Sequence, residues 1–127
     1  MDKKRLGSFG ERIACYYLQK KGYKILERNY SKFWSATSKG EIDIIADKDK
    51  TISFIEVKTL SSKDSVFSPE DRVDFQKQRK LIKLAQNWLE EKKISLESKW
   101  QIDVISIKVD LDSKKAKIRH FKNVISF

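Results

Sequence analysis

The sequence predicts a mixed α/β domain in which helices cover a sheet and the elements follow in the order α-β-β-β-α-β-β. Three observations carry this expectation. Residues 41–46 and 51–59 alternate charged side chains with Ile or Val, the period of strands that bury one face. Asp47-Lys48-Asp49-Lys50 separates them as a polar break suited to a turn. A second helical pattern then leads to another alternating strand, so a helix joins a three-stranded meander to a later part of a mixed sheet.

The elements can be justified in turn. The spacing predicts a first helix over 9–21, with Ser8 and Glu11 as a capping box and Gly22 at its stop. Ile13, Ala14, Tyr17 and Leu18 form its apolar stripe. A strand over 23–29 and an irregular segment over 31–35 precede the two central strands. Ser68-Pro69-Glu70-Asp71 has the capping residue, the proline and the acids of a helix start. That helix runs to about 92, with Val73, Leu81, Leu84, Ala85 and Trp88 on one face. Residues 100–109 alternate as a strand, and 116–121 pairs with it around a turn at 110–113.

The 127 residues suit one domain spanning 1–127, with enough chain for a core. Lys and Arg number 28 against 18 acids, and the resulting charge of +10 favours a polyanionic partner. A single cysteine, Cys15, excludes an internal disulfide and a cysteine-rich zinc site. No apolar run approaches membrane-spanning length and no secretory h-region follows the N-terminus, so the expected location is cytoplasmic, with no membrane partner. Phosphate-cradling and dinucleotide glycine motifs are missing. The lone His120 lies in a terminal strand, where a surface or half-buried place is expected.

The chemistry concentrates in the central hairpin. With the turn centred between Asp49 and Lys50, Asp43 faces Glu56 and Glu41 faces Lys58, and opposed Cβ atoms lie about 4.5–5.5 Å apart on one face. A one-residue slip would separate Asp43 from Glu56. Two facing carboxylates repel, and a divalent cation between them removes the repulsion. Asp43 and Glu56 are therefore the candidate ligands for Mg²⁺ or Mn²⁺, which take one or two carboxylates plus waters and phosphates. Lys58 points the same way as Glu56 and is placed to orient a water or offset phosphate charge. The competing explanation is a set of ordinary cross-strand ion pairs on a solvated face.

Other residues have two readings each. Glu11 can serve the capping box or face the sheet beside the hairpin. Lys77 lies on the apolar side of the second helix, where it can snorkel to the surface or reach a nucleic-acid backbone. Lys39, Arg28 and Lys80 belong to dispersed basic groups that together can neutralise phosphates. Trp34, beside Phe33, can stack on an unpaired base or cover a core edge.

Gly10-Glu11, Arg28-Asn29, Gly40-Glu41-Ile42-Asp43, Glu56-Val57-Lys58, Lys77, Ile102-Asp103-Val104-Ile105 and His120-Phe121-Lys122-Asn123 occur in one order along nearly the whole chain. In these the sequence resembles the small bacterial YraN family. That family is similar to the PD-(D/E)xK, restriction-endonuclease-like superfamily and, within it, to archaeal-type Holliday-junction resolvases. The resemblance implies an α-β-β-β-α-β core and a metal-dependent endonuclease acting on branched or structured DNA. It places Asp43, Glu56 and Lys58 in the catalytic positions and gives Glu11 the role of a helix glutamate completing the metal site. Glu41 is a weaker carry-over. Leu60, Gln101 and the long segment 31–39 depart from the pattern at substrate contacts. A resolvase makes two cuts, which favours a homodimer. The alternative expectation is a catalytically silent DNA- or RNA-binding module in repair or recombination.

Overall fold

A computed structural model describes residues 2–36, 39–61 and 75–125. Its first helix, α1 (Lys3–Lys20), begins well before residue 9, because Asp2 caps it and accepts the Arg5 N–H at 2.8 Å. Ser8 and Glu11 thus lie inside a helix already under way, and the capping-box assignment is corrected. The stop at Gly22 is as expected: φ is +93°, the Tyr23 N–H bonds the Leu18 carbonyl and the Gly22 N–H bonds that of Gln19. Those two bonds make a Schellman motif, in which the left-handed position suits glycine. Gly10, Ala14 and Leu18 are the buried residues of α1, with Ile13 and Tyr17 at the margin.

Among the described residues five strands follow: β1 (Lys24–Phe33), β2 (Lys39–Lys48), β3 (Thr51–Ser61), β4 (Trp100–Asp110) and β5 (Lys115–Phe121), with helix α2 (Phe75–Glu91) between β3 and β4. They form one sheet in the order β1-β2-β3-β4-β5. The β3–β4 pair is parallel, as a crossover carrying a helix requires, and the β1–β2, β2–β3 and β4–β5 pairs are antiparallel. β1 is longer than expected: Ser31, Lys32 and Phe33 pair with Glu41, Gly40 and Lys39, because β2 starts early enough to supply partners. The proposed start of α2 at Ser68, and Val73 with it, lie outside the described residues.

The β2–β3 register is the expected one, running from Lys48↔Thr51 to Ile44↔Ile55. Asp49 and Lys50 take φ of 52° and 63°, the two left-handed residues of a type I′ turn. Alternation along β3 sends Ile52 and Phe54 to one face, packed on Leu81, Leu84, Ala85, Trp88 and Leu89 of α2. Ile55 faces the other side, with Ala14 and Leu18 of α1. The central sheet is therefore covered on both faces, and Ile42, Ile44, Ile45, Ile55 and Ile105 are fully buried. Among the described residues no helix is long and apolar enough to cross a membrane.

Candidate active site

A regular strand would place Ile42 and Ile44 on the same face, yet Ile44 packs on the α1 side and Ile42 on the α2 side. The alternation breaks at Asp43. On β1, Arg28 reaches Glu11 of α1 while Tyr30 joins the α2-side core, so its alternation breaks at Asn29. The pairs Arg28↔Ile44 and Tyr30↔Ile42 set Asn29 opposite Asp43. Asn29 has a φ of 55°, a left-handed conformation that Asn tolerates better than most residues. The last β2–β3 pair is Ile44↔Ile55, and one residue beyond it the Asp43 carboxylate Oδ2 accepts the Val57 N–H at 2.8 Å. Asp43 thereby sits where the two strands cease to pair.

Burial raises the Asp43 carboxyl to about 7, against the hydrogen bond from Val57, and the charges of Glu11, Glu56 and Glu41 add to the rise. Glu56 follows Ile55, the last paired residue of β3 on this side, and is almost wholly buried. Its Oε1 accepts Lys58 Nζ at 3.0 Å and also meets Lys77 Nζ from α2. Its buried Oε2 has no hydrogen-bond partner among the described residues. Lys77 therefore turns inward to a carboxylate rather than snorkelling outward. Burial, and the Lys58 amine beside it, lower its pKa. Burial also opposes the Lys58 ammonium, but contacts with Lys77 and Glu56 and the charge of Asp43 hold its pKa above the ordinary value.

Gly10 explains how α1 delivers Glu11. A Cβ at Gly10 would collide with the Thr59 side chain of β3, so only glycine lets the helix approach this closely. Glu11 stands 4.0 Å from the Arg28 guanidinium, and burial raises its carboxyl despite that neighbour. With its amide oriented to satisfy its neighbours, Asn29 donates to Glu11 Oε1 at 2.9 Å and to Glu41 Oε1 at 3.3 Å. The pattern of charged and apolar residues gives Asn29 no role; its one signal is an Asn, a residue that tolerates the left-handed region, next to a strand pattern. The Glu41–Lys58 pairing is corrected. Glu41 pairs with Lys39 at 3.6 Å, because strand pairing ends before it and Lys58 is engaged by Glu56.

Lys39, Lys77 and Lys80 line a cleft of about 290 Å³ with Gly40, Glu41 and Gln76. Arg28 is engaged with Glu11 instead. Trp34 covers a core edge: its ring lies close to Gly40 and packs against the core on the α2 side, and Lys83 Nζ is 4.8 Å from the ring centre. Phe33 is exposed, with Lys39 Nζ over its ring. As a whole residue His120 is half-buried, as expected, but it has a partner. Its Nε2 is 2.8 Å from Asp103 Oδ2, and both side chains are buried.

Among the described residues no three His, Cys, Asp or Glu side chains gather as a ready-made metal cage. The donors present are hard oxygens, namely Asp43 with a carboxyl destabilised as an anion and Glu56 with an unsatisfied buried oxygen. Such a set suits a cation that fills its remaining positions with water and substrate oxygens. The mixed sheet, the helices α1 and α2 that cover it and the split at Asp43 define a mixed α/β protein consistent with a restriction-endonuclease-like core. The chain belongs to the family described as Uncharacterised protein family UPF0102, the YraN family, whose model matches residues 10–107. It is 41% identical over 120 residues to a UPF0102 protein of Alkaliphilus oremlandii, covering 94% of this chain and 97% of that one. A UPF0102 protein of Clostridium perfringens is also 41% identical over 120 residues, covering 94% and 93%.

Proposed function

We propose that the protein is a metal-dependent DNA endonuclease acting on branched or structured DNA. The observation that carries this reading is that Asp43 is held on the N–H of Val57, the residue between Glu56 and Lys58, with Lys58 paired to Glu56 and Glu56 Oε2 buried and unpartnered among the described residues. Asp43 and Glu56 would hold Mg²⁺ or Mn²⁺, with Glu11 behind Asp43 on α1. A bound cation of this kind polarises a scissile phosphate and lowers the pKa of a water. Lys58, anchored by Glu56, holds a proton-bearing amine beside the reacting centre and offsets charge on the phosphate. The Val57 N–H holds the Asp43 carboxylate in place, which limits the reorganisation needed when charge develops. Lys39 and Lys80 face the cleft and supply sequence-independent phosphate contacts.

The test incubates the purified protein with four-way junctions, flaps and plain duplex in Mn²⁺, Mg²⁺ or EDTA. Cleavage that needs the cation and disappears in Asp43→Asn supports the enzyme. Salt-sensitive binding to every substrate with no cutting would sink it. That outcome would favour a silent DNA- or RNA-binding module, a second reading supported by the +10 charge and by the lack of a three-ligand cluster among the described residues. Tighter binding to RNA than to DNA of equal length would identify the RNA version.

A further inference from the structure

One ion pair would satisfy Glu56 Oε1, yet two ammonium groups meet it. They arrive from different supports. Lys58 sits two residues along the same strand and shares its face with Glu56. Lys77 comes from the first turn of α2, and its flexible stem also lines the cleft with Lys39, Lys80 and Gln76. Two like charges on one carboxylate oxygen repel each other in a partly desolvated place, which weakens the hold on each of them. Meanwhile Oε2 of the same carboxylate is buried with no partner among the described residues, the kind of vacancy in hydrogen bonding that a ligand fills.

We infer that the Lys77 ammonium is a stand-in cation on Glu56. It compensates the buried carboxylate until a divalent ion binds there, is displaced by that ion, and then contacts a DNA phosphate in the adjoining cleft. The inference rests on the metal-dependent reading above and adds a coupling to it. Filling the metal position releases the amine that engages the substrate. Lys77 is thus a positioning residue on the metal-free carboxylate and a substrate contact in the loaded site. Both ends of its movement are already adjacent, since one amine meets Glu56 while its side chain borders the cleft.

Calorimetric titration of Mn²⁺ into wild type, Lys77→Met and Lys77→Arg, all without DNA, tests the first half. Removing a competing cation should tighten Mn²⁺ binding about three- to tenfold in Lys77→Met. Lys77→Arg keeps the charge and should bind like wild type, which separates competition from damage to the fold. The second half is read by fluorescence anisotropy of a labelled four-way DNA junction with and without Ca²⁺. The cation should strengthen binding by wild type and strengthen it much less in Lys77→Met. Mn²⁺ binding that is equal or weaker in Lys77→Met, or an unchanged Ca²⁺ effect, overturns the inference and leaves the nuclease reading standing. If none of the three proteins binds Mn²⁺, the nuclease reading fails first and takes this inference with it.

Discussion

The carboxylate of Asp43 and the backbone N–H of Val57 join β2 to β3 at 2.8 Å, one residue past the last paired position of the hairpin. A side chain thereby does what the ladder no longer does, and an acid is held in the gap. Burial above all, and then the neighbouring Glu11, Glu56 and Glu41, make that acid reluctant to ionise.

Stability should therefore depend on pH in the direction opposite to an ordinary paired Asp. Folded Asp43 keeps its proton to about pH 7, whereas its ordinary value is 3.8. Between those values the native state holds more protons than the unfolded chain, so raising the pH through this window lowers stability. Asp43→Asn remains neutral and still accepts the Val57 N–H. It is expected to exceed wild type by on the order of 1–3 kcal/mol at pH 8, and to match it at pH 4 and below. Urea unfolding at both pH values checks this; a variant no more stable at pH 8 would refute the burial argument.

Divalent cations should reverse that order. Mg²⁺ or Mn²⁺ at about 100 times its dissociation constant stabilises a single-site protein by roughly 2.7 kcal/mol. Wild type should show a rise in Tm that EDTA abolishes, whereas Asp43→Asn and Glu56→Gln should not. Equal rises in all three proteins would place the ion elsewhere.

Gly10 sets how close α1 lies to β3. Gly10→Ala should cost about 1–3 kcal/mol through overpacking against Thr59. Adding Thr59→Ala should recover part of the loss, measured by thermal unfolding. Full stability in the single variant would mean that the helix can retreat without cost.

Asp103 is a structural acid by its contacts. Its oxygens accept from Gln101 Nε2 and the Asn123 N–H, both at 2.9 Å, and meet His120 Nε2, while Tyr17 Oη lies 3.3 Å from His120 Nδ1. Asp103→Ala strands these partners in the interior and should destabilise by about 3–5 kcal/mol. Its Mn²⁺ affinity at low temperature should be unchanged, because Asp103 lies on the α1 side with Tyr17 and Tyr23 whereas Glu56 faces α2. A selective loss of Mn²⁺ binding in the folded variant would contradict that separation.

Lys39 and Lys80 should contribute to DNA affinity without selecting sequence. Replacing both with Gln removes two phosphate contacts and should lower the slope of log K against log salt by about 1.8 on duplex DNA. An unchanged slope would remove the cleft from the DNA path.

The sequence alone determined the element order and the hairpin register as far as Ile44 and Ile55, since period-2 alternation around a short turn leaves few alternatives. Gly22 also marked the end of α1 correctly, because its left-handed φ is a local need. Both are written in residues close along the chain. The start of α1 was misread since Ser8 and Glu11 mimic a cap that Asp2 already provides. The rest depends on elements far apart in sequence. Lys77 meets Glu56 because a crossover helix returns over the sheet, and His120 finds Asp103 because β5 pairs beside β4. The broken alternation at Asn29 and Asp43 is likewise a property of two strands packed between two helices, whose opposite faces demand Ile42 and Ile44 separately. Local patterns report local geometry; the company that a buried charge keeps is settled by packing.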